Sequence, residues 1–287
     1  MKLTNEQVEK FEKDGYLLIE SLFSPEELEV ILGEVPREMA EDSPRRIRET
    51  SGAVRSVFAL HSTNEKFRCL TQLPRLVEPA KQLLKSDVYV HQFKLNAKVA
   101  LEGEQWEWHQ DFLYWFKEDG MPSPRVLTAA VFLQDVNDFN GPMLVIPGSH
   151  KEGMIDVEAQ EMEALGSVAP RIAEGDGAGT WIHTLTANLK YKINRRILAG
   201  LLRKNSIYAA KGRAGFVLFF HGNLFHASSN NLSPYDRMSI FVTYNSSENC
   251  LHDMKQPRPT FIADRDYTPI MPVSDDALLR MRTNGHG

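Results

Sequence analysis

Cysteine is scarce in this chain of 287 residues, which contains only Cys69 and Cys250. Two cysteines so far apart in the sequence form neither a disulfide framework nor a cysteine metal-binding motif. We therefore expect a protein of the reducing cytoplasm whose fold is held together by its core rather than by cross-links. Apolar residues make up 42% of the chain and charged residues 25%, which is enough for a sizeable core.

Long apolar runs and blocks of like charge are also missing. No apolar stretch approaches the ~18 residues that span a bilayer. The N-terminal segment MKLTNEQVEKFEKDG is too polar for a signal peptide. A net charge of −5, without a basic run, argues against nucleic acid or an anionic membrane as a partner. The sequence leaves a homodimer open.

Strand patterns dominate the chain from residue 87 onward. Segments rich in β-branched and aromatic residues alternate with Asn-Gly, Pro-Gly and Ser-Pro turns. These segments are residues 87–100, 126–136, 141–150, 214–226 and 237–245. Asn140-Gly141 is predicted to be a hairpin turn. The pattern predicts a mainly β protein with flanking helices, built as a barrel or jelly roll of antiparallel strands.

The first 86 residues are predicted to be largely helical. Two capping boxes mark helix starts, Thr4 with Gln7 and Ser24 with Glu27. The other predicted elements are a strand after Asp14-Gly15, a helix over 25–40, a surface loop over 41–56 and helical segments over 63–85 broken at Pro74. Farther along, the glycine-rich stretch at 174–179 lacks the Lys-Ser/Thr ending of a phosphate-binding loop and is predicted to be a lid or loop.

The stretch QWEWHQDFLYWF carries a histidine and a carboxylate two positions apart, His109 and Asp111. If the stretch is a strand, both side chains point to the same face. One imidazole and one carboxylate on one face are two adjacent ligands for a divalent metal. With a second histidine from elsewhere they make the two-histidine, one-carboxylate set that suits non-heme Fe(II) and leaves positions open. A lone His-x-Asp is weak evidence, because chance pairs are common.

The second histidine is expected on a late strand, where His221 and His226 both occur. The pattern alone does not separate the two firmly. His226 is favoured because a hairpin across 230–236 would bring Arg237 back beside it. A guanidinium there would hold the far carboxylate of a keto-acid cosubstrate in bidentate fashion. His61, His91 and His150 are interpreted as structural histidines, and so is His221 if His226 is the ligand.

Several longer motifs resemble those of the phytanoyl-CoA dioxygenase-like, Fe(II)- and 2-oxoglutarate-dependent oxygenases. They are WHQDFLYWFKEDGMP, NGPMLVIPGSH, HASSNNLSPYDR and RPTFIADRDYTP, and they occur in the family's order. The segments DVYVHQFKLNAK and FKEDGMP are similar to the branch that hydroxylates amino acids, the bacterial L-proline trans-4-hydroxylases first and the ectoine hydroxylases next. The similarity covers almost the whole chain. Two departures put the substrate in doubt: His221 replaces a usual acid, and Arg125 lies in a variable segment.

The resemblance implies a double-stranded β-helix, a cupin-like jelly roll, in one domain over residues 1–287. That domain would comprise a helical part over about 1–86, the jelly-roll core over about 87–250 and an extension over 251–287. The implied iron ligands are His109, Asp111 and His226. Arg237 with Ser228 is implied to bind the 2-oxoglutarate carboxylate. The weaker implied contacts are Gln92 and Asn96 for the cosubstrate and substrate pocket, and Trp115, Ser239 and Arg125 for the substrate.

The predicted activity is hydroxylation of an aliphatic C–H bond by Fe(II), 2-oxoglutarate and O₂, with ascorbate expected to stimulate. Asp111 favours hydroxylation over chlorination, since halogenating relatives carry a small residue there. The predicted substrate is a small molecule: a free L-amino acid, L-proline first. Ectoine, pipecolate, leucine, a carrier-bound amino acid or an amino-acid-derived natural product remain alternatives. Two other classes are an inactive jelly-roll binding protein and a zinc hydrolase.

Overall fold

The computed structural model describes residues 1–155, 185, 189–191, 193 and 195–283. The strands are β1 (Tyr16–Ile19), β2 (Arg46–Arg48), β3 (Val54–Phe58), β4 (Val88–Lys98), β5 (Trp106–His109), β6 (Val126–Phe132), β7 (Met143–Val145), β8 (Tyr208–Ala210), β9 (Val217–His221), β10 (His226–Ser228) and β11 (Arg237–Ser246). The helices are α1 (Asn5–Asp14), α2 (Pro25–Leu32), α3 (Val35–Ala40), α4 (Leu60–Thr63), α5 (Glu65–Thr71), α6 (Pro74–Leu84), α7 (Asp111–Asp119), α8 (Arg195–Lys204) and α9 (Ala277–Thr283). No helix among the described residues has the length and apolarity to cross a membrane.

The strands form two antiparallel sheets. The larger has seven strands in the order β1-β9-β6-β11-β4-β3-β2, and the smaller has four in the order β5-β10-β7-β8. Inner-face residues of both sheets share one core, in which Phe132 and Phe220 of the large sheet meet Met143 and Val145 of the small one. The mainly β jelly-roll prediction is confirmed.

The N-terminal helices cover the outer face of the large sheet. Leu76, Val77 and Ala80 of α6 are fully buried in one cluster with Leu95 of β4 and Ile240 of β11. The first 86 residues therefore contribute both the helical cover and three strands, β1 to β3, of the sheet itself. With one face covered, the other face of the large sheet is left to line the interior of the roll.

Local signals at the N-terminus are confirmed by the structure. Both capping boxes form, with Thr4 and Ser24 each accepting from the backbone three residues on. The break at Pro74 is also confirmed, because α5 ends at Thr71 and α6 begins at the proline. Gly15 ends α1 with φ +78° and leaves no room for a Cβ beside His150, so the turn into β1 requires glycine.

The surface loop predicted for 41–56 is wrong. This segment contains β2 and the start of β3, which pair with each other and extend the large sheet. Although the segment is polar in sequence, two of its charged residues form a buried ion pair. Arg55 is fully buried, donates to Glu49 at 2.7 Å and stacks on Trp106 at 3.6 Å. The helix predicted over 25–40 is also divided, since α2 ends at Leu32 and α3 starts at Val35.

The hairpin predicted at Asn140-Gly141 is wrong as well. The strands on either side, β6 and β7, lie in different sheets, so the turn carries the chain from one sheet to the other. Gly141 adopts φ +76°, and Asn140 forms an isolated bridge with Asn231. The glycine-rich stretch at 174–179 lies outside the described residues.

Candidate metal centre and anion pocket

His109 and Asp111 lie on either side of a strand-to-helix junction. His109 is the last residue of β5, and Asp111 is the first residue of α7. Gln110 between them has an extended backbone, and its buried side chain donates to the carbonyls of Gly153 and Asn223, each at 2.7 Å. The expectation that one strand carries both side chains is therefore wrong. The change from strand to helix at this junction brings the carboxylate beside the imidazole.

His226 lies directly opposite His109. It is the first residue of β10, which pairs with β5 so that the two histidines are register partners. Their ring centroids are 4.2 Å apart. Asp111 completes the group, with Oδ1 at 3.5 Å from His109 Nε2 and Oδ2 at 3.7 Å from His226 Nε2. One donor atom from each residue lies within 4.8 Å of the other two.

The backbone fixes both imidazoles in the tautomer that a metal needs. Nδ1 of His109 donates to the carbonyl of Glu107 at 2.6 Å, and Nδ1 of His226 donates to that of Leu224 at 2.9 Å. Because a carbonyl only accepts, each Nδ1 carries the proton and each Nε2 is left with a free lone pair toward Asp111. Such backbone contacts are the usual orienting partners of metal-binding histidines. The donor set fits a non-heme Fe(II) ion with open positions.

The electrostatics of the group agree with this. Burial, with His109 nearby, lowers the pKa of His226 to about 4, so the ring is neutral at physiological pH. Burial by itself would raise the pKa of Asp111, but the nearby His226, His109 and Lys94 hold that pKa well below its ordinary value. Neutral imidazoles and an ionised carboxylate are the forms that bind metal.

A second feature of the same pocket is Arg237, which begins β11 and is only 1% exposed. Its guanidinium donates to Ser239 Oγ and to the Gly141 carbonyl, each at 2.9 Å. Three buried polar atoms at this end have no hydrogen-bond partner among the described residues: Arg237 Nε, Ser228 Oγ and Asn96 Oδ1. Burial lowers the pKa of Arg237 to about 9, which leaves it charged at neutral pH.

Unpaired buried polar atoms are costly, so their clustering indicates a ligand. Arg237, Ser228 and Asn96 line one pocket together with His109 and His226. A carboxylate would satisfy both the guanidinium and the hydroxyl. The pocket therefore has a metal-binding end and an anion-binding end. His226 and Arg237 meet here across the two sheets, and the predicted hairpin between them is wrong because β10 and β11 lie in different sheets.

The family model described as phytanoyl-CoA dioxygenase matches residues 11–239. The chain belongs to the phytanoyl-CoA dioxygenase family. An ectoine dioxygenase of Bordetella bronchiseptica is 38% identical over 271 residues, which cover 92% of this chain and 83% of the relative. An L-proline trans-4-hydroxylase of Streptomyces griseoviridis is 35% identical over 271 residues, which cover 94% and 96%. The predicted family and enzyme class are confirmed.

Solved structures agree with this family membership. The crystal structure of EctD from S. alaskensis with 2-oxoglutarate and 5-hydroxyectoine is 28% identical, with a TM-score of 0.77, and the match covers 95% of this chain and 87% of that one. The same enzyme with bound Fe gives a TM-score of 0.75 at 29% identity, again with 95% and 87% coverage. The chain therefore resembles an enzyme whose solved structures contain iron and 2-oxoglutarate.

Most of the site residues that the sequence predicted lie together around this pocket. His109, Asp111 and His226 form the candidate metal group, and Arg237, Ser228 and Asn96 line the anion end. Ser239 lies behind Arg237 and accepts its hydrogen bond. The other three lie outside the lining of this pocket. Gln92 donates to the Ile262 carbonyl at 2.8 Å, Trp115 packs in the core with Phe112 and Met121, and Arg125 pairs with Glu248 at the surface.

Sequence reasoning missed several residues that line the pocket: Lys94, Trp106, Met143, Ala227 and Phe241. A signal for Lys94 was present, because Gln92, Lys94, Asn96 and Lys98 alternate along β4 and share one face. Asn96 was placed at the site, so its neighbour two residues away belonged there too. The other histidines play other parts: His91 lies 3.3 Å from Asp119, and His221 packs on His150 with ring centroids 5.4 Å apart. His183 and His286 lie outside the described residues.

Proposed function

We propose that the chain is an Fe(II)- and 2-oxoglutarate-dependent dioxygenase that hydroxylates an aliphatic C–H bond of a small amino-acid-like molecule. The observation that carries the proposal is the shared pocket: a two-histidine, one-carboxylate group lies at one end and a buried arginine with unpaired neighbours at the other. A dicarboxylic keto acid that reaches from a metal to a guanidinium fits this arrangement.

In this proposal His109, Asp111 and His226 hold the iron through Nε2, a carboxylate oxygen and Nε2. Bound there, iron would supply the oxidation, in which one oxygen atom of O₂ enters the substrate C–H bond and the other ends in succinate as 2-oxoglutarate loses CO₂. Since a carboxylate occupies position 111, we propose hydroxylation rather than chlorination. A chlorinated product in chloride buffer would contradict this step.

The anion end has the task of orienting the cosubstrate. Arg237 would donate to the far carboxylate through Nε and a terminal nitrogen, while Ser228 donates from its hydroxyl. The Gly141 carbonyl and Ser239 Oγ hold the guanidinium in place before any ligand arrives. Asn96 completes this end if its amide presents the nitrogen to the carboxylate. Preorganised donors of this kind lower the entropy lost on binding.

The apolar lining excludes water from the reacting atoms. Trp106, Met143 and Phe241 are the large apolar residues that line the pocket. A dry wall limits side reactions of the oxidant, which is a general requirement of oxygenase sites. It also limits the substrate to a molecule with a compact apolar ring or chain.

For the substrate we propose a free cyclic amino acid or a close derivative, with L-proline first and ectoine second. The support is the similar identity to an L-proline trans-4-hydroxylase and to ectoine dioxygenases. Trp115 and Ser239 remain proposed substrate contacts, and Gln92 remains a proposed cosubstrate contact, although none of the three is among the residues that line the pocket. Arg125 has the weakest support, because its guanidinium already pairs with Glu248.

The test is succinate release with Fe(II), ascorbate, 2-oxoglutarate and O₂ across a panel of L-proline, pipecolate, leucine and ectoine. Product masses are read in parallel. Substrate-dependent succinate with a gain of one oxygen atom on a panel member supports the proposal and names the substrate. If succinate is released but no panel member increases its rate, the chain is a dioxygenase whose substrate is not in the panel. Iron binding without any succinate favours the binding-protein alternative and contradicts the proposal.

A spectroscopic arm separates the proposal from a zinc hydrolase. Fe(II) and 2-oxoglutarate are added in the absence of O₂, and the visible spectrum is recorded. A keto acid that chelates Fe(II) gives a weak charge-transfer band, which requires both the metal and the cosubstrate in one site. The band is expected for the native chain and absent for a hydrolase.

A further inference from the structure

Lys94 is a cationic side chain of the pocket that the roles above do not use. It lies on β4, and its side chain lines the pocket together with His109, His226 and Arg237. Its ammonium lies over two aromatic rings, 4.8 Å from the centroid of Trp106 and 5.0 Å from that of Phe241. Among the residues that the structure describes, it makes these ring contacts without a hydrogen bond or an ion pair.

Lys98, two residues farther along the same face of β4, is a useful contrast. It is 1% exposed, and its ammonium donates to the Ser229 carbonyl at 2.7 Å and to the Glu104 carbonyl. Those contacts join β4 to two neighbouring loops, which is a structural task. Lys94 has the same strand position and chemistry but no such contacts. The difference indicates that the partner of Lys94 is not part of the protein.

The charges around Lys94 point to an anion. Burial lowers its pKa to about 8, Arg55 and Arg258 act in the same direction, and Asp111 opposes them. Asp111 is the acidic group that acts on Lys94, yet its oxygens face the two imidazoles. A divalent metal, Lys94 and Arg237 bring four positive charges to the pocket, against one negative charge from Asp111. A cosubstrate dianion leaves one positive charge in excess, and a substrate carboxylate would neutralise it.

We propose that Lys94 is a second carboxylate-binding group of this pocket, acting at the metal end while Arg237 acts at the far end. This inference rests on the proposed function and deepens it. The carboxylate has two sources of the same chemistry: the carboxylate of the cosubstrate next to its keto group, or the carboxylate of an amino acid substrate. Trp106 and Phe241 keep the ammonium aimed into the pocket until either one binds.

The test is isothermal titration calorimetry without O₂ on the iron-loaded wild type, Lys94→Met, Lys94→Arg and Lys211→Met. Lys211 pairs with Asp138 at the surface and gives a matched control for the loss of a lysine charge. Each protein is titrated with 2-oxoglutarate, and then, saturated with it, with L-proline and with ectoine. Lys94→Met is expected to weaken one of these ligands by about 10- to 100-fold, the usual effect of losing a charged hydrogen bond. Lys94→Arg is expected to recover most of it, and Lys211→Met to change nothing.

The titrations distinguish the two possible sources of the carboxylate, the cosubstrate and the substrate. A loss confined to 2-oxoglutarate assigns Lys94 to the cosubstrate, and a loss confined to the amino acid assigns it to the substrate; both support the inference. Unchanged affinities in Lys94→Met, with a wild type that binds 2-oxoglutarate, overturn the inference alone. A wild type that binds iron but no 2-oxoglutarate overturns the proposed function and this inference together.

Thermal unfolding of the ligand-free proteins distinguishes binding from a structural role. Removing an ammonium that has no carboxylate or carbonyl partner should leave the midpoint temperature of Lys94→Met equal to that of the wild type or above it. Lys98→Met removes two buried hydrogen bonds, and its midpoint should fall by several degrees. A fall in Lys94→Met as large as that in Lys98→Met would mean a structural lysine and would contradict the inference.

Discussion

Helix α7 carries an aspartate at each end, half-buried Asp111 and fully buried Asp119, and the two have opposite surroundings. Asp111, its first residue, faces the Nε2 atoms of two imidazoles. Asp119, its last, accepts two hydrogen bonds from Arg258, at 2.7 and 2.6 Å, and lies 3.3 Å from His91. Both sites combine histidine and carboxylate, and only Asp119 already has a bidentate guanidinium partner.

The comparison shows why one cluster suits a metal and the other does not. Burial would raise the pKa of Asp119, but Arg258 lowers it to about 2, so the carboxylate is ionised and neutralised within the fold. A cation would have to displace the guanidinium. At Asp111 the charge is left for a ligand, because imidazoles contribute lone pairs rather than a compensating charge. Residue types alone do not define a metal site; the remaining partners do.

The largest expected effect follows from removing an imidazole at the Asp111 end. In His109→Ala and His226→Ala, iron content after reconstitution and succinate release should both fall to background, because two ligands hold the metal too weakly. His221→Asn is the matched control from the neighbouring stretch and should keep both. Metal analysis and the succinate assay measure the outcome. Activity that survives in His226→Ala and disappears in His221→Asn would move the ligand to His221.

The next effect sharpens the contrast between the two aspartates. Asp119→Asn removes the charge that accepts both hydrogen bonds from the buried Arg258 guanidinium, and the free energy of unfolding should fall by about 3 kcal/mol. Asp111→Asn should change the unfolding free energy of the metal-free protein by less than about 1 kcal/mol, yet abolish iron binding. Urea denaturation and metal analysis on both variants check this. If Asp119→Asn and Asp111→Asn lost similar amounts of unfolding free energy, the contrast between a structural and a metal-binding aspartate would be wrong.

A smaller effect is expected at the other end of the pocket. Arg237→Gln removes the charge that a buried carboxylate requires, and we expect the apparent KM for 2-oxoglutarate to rise by about 10- to 100-fold, with a smaller change in kcat. Iron content should stay as in the wild type, which separates this end from the metal end. Arg213→Gln, at an exposed arginine that pairs with Asp135, is the control. An unchanged KM would remove Arg237 from this role.

The three residues that the sequence singled out as metal ligands lie together in the structure, but part of the reasoning that led to them was wrong. The shared-strand geometry failed because β5 ends at His109 and α7 begins at Asp111. Arg237 was likewise placed near His226 through a hairpin that does not exist. Both pairs meet in space through sheet pairing and a crossing between sheets, and such long-range contacts leave no local pattern.

The residues that were missed share a physical cause. Lysine and arginine usually lie at the surface, so neither Arg55, in the segment predicted to be a surface loop, nor Lys94, in a predicted strand, was expected inside the roll. Arg55 is inside because Glu49 and Trp106 accompany it, and Lys94 because an aromatic pair covers it next to the pocket. Whether a charged strand residue is buried depends on partners from distant segments, which composition and alternation do not report.

A third histidine environment, that of His221, extends the comparison to protons. His221 packs against His150, and its Nδ1 accepts the backbone N–H of Asn223 at 3.0 Å. A proton on Nδ1 would break that contact. Burial, with His150 adding to it, lowers the pKa of His221 to about 4 from an ordinary 6.5.

This shift should make stability depend on pH in a defined direction. As pH falls through 6.5 the unfolded chain takes up a proton at His221 that the folded chain does not, so stability is lost progressively down to about pH 4. From pH 7.5 to 5.5 the group should lower the free energy of unfolding by about 1 kcal/mol. His221→Asn keeps a hydrogen-bond acceptor near that position and cannot titrate, so its unfolding free energy should fall less between those two pH values. Urea denaturation at both pH values measures the difference. If the unfolding free energy falls equally in the wild type and in His221→Asn, the protonated His221 must be stabilised in the folded protein, by water or by a rearranged loop. The burial of His221 would then oppose its protonation less than burial opposes that of His226 at the metal group.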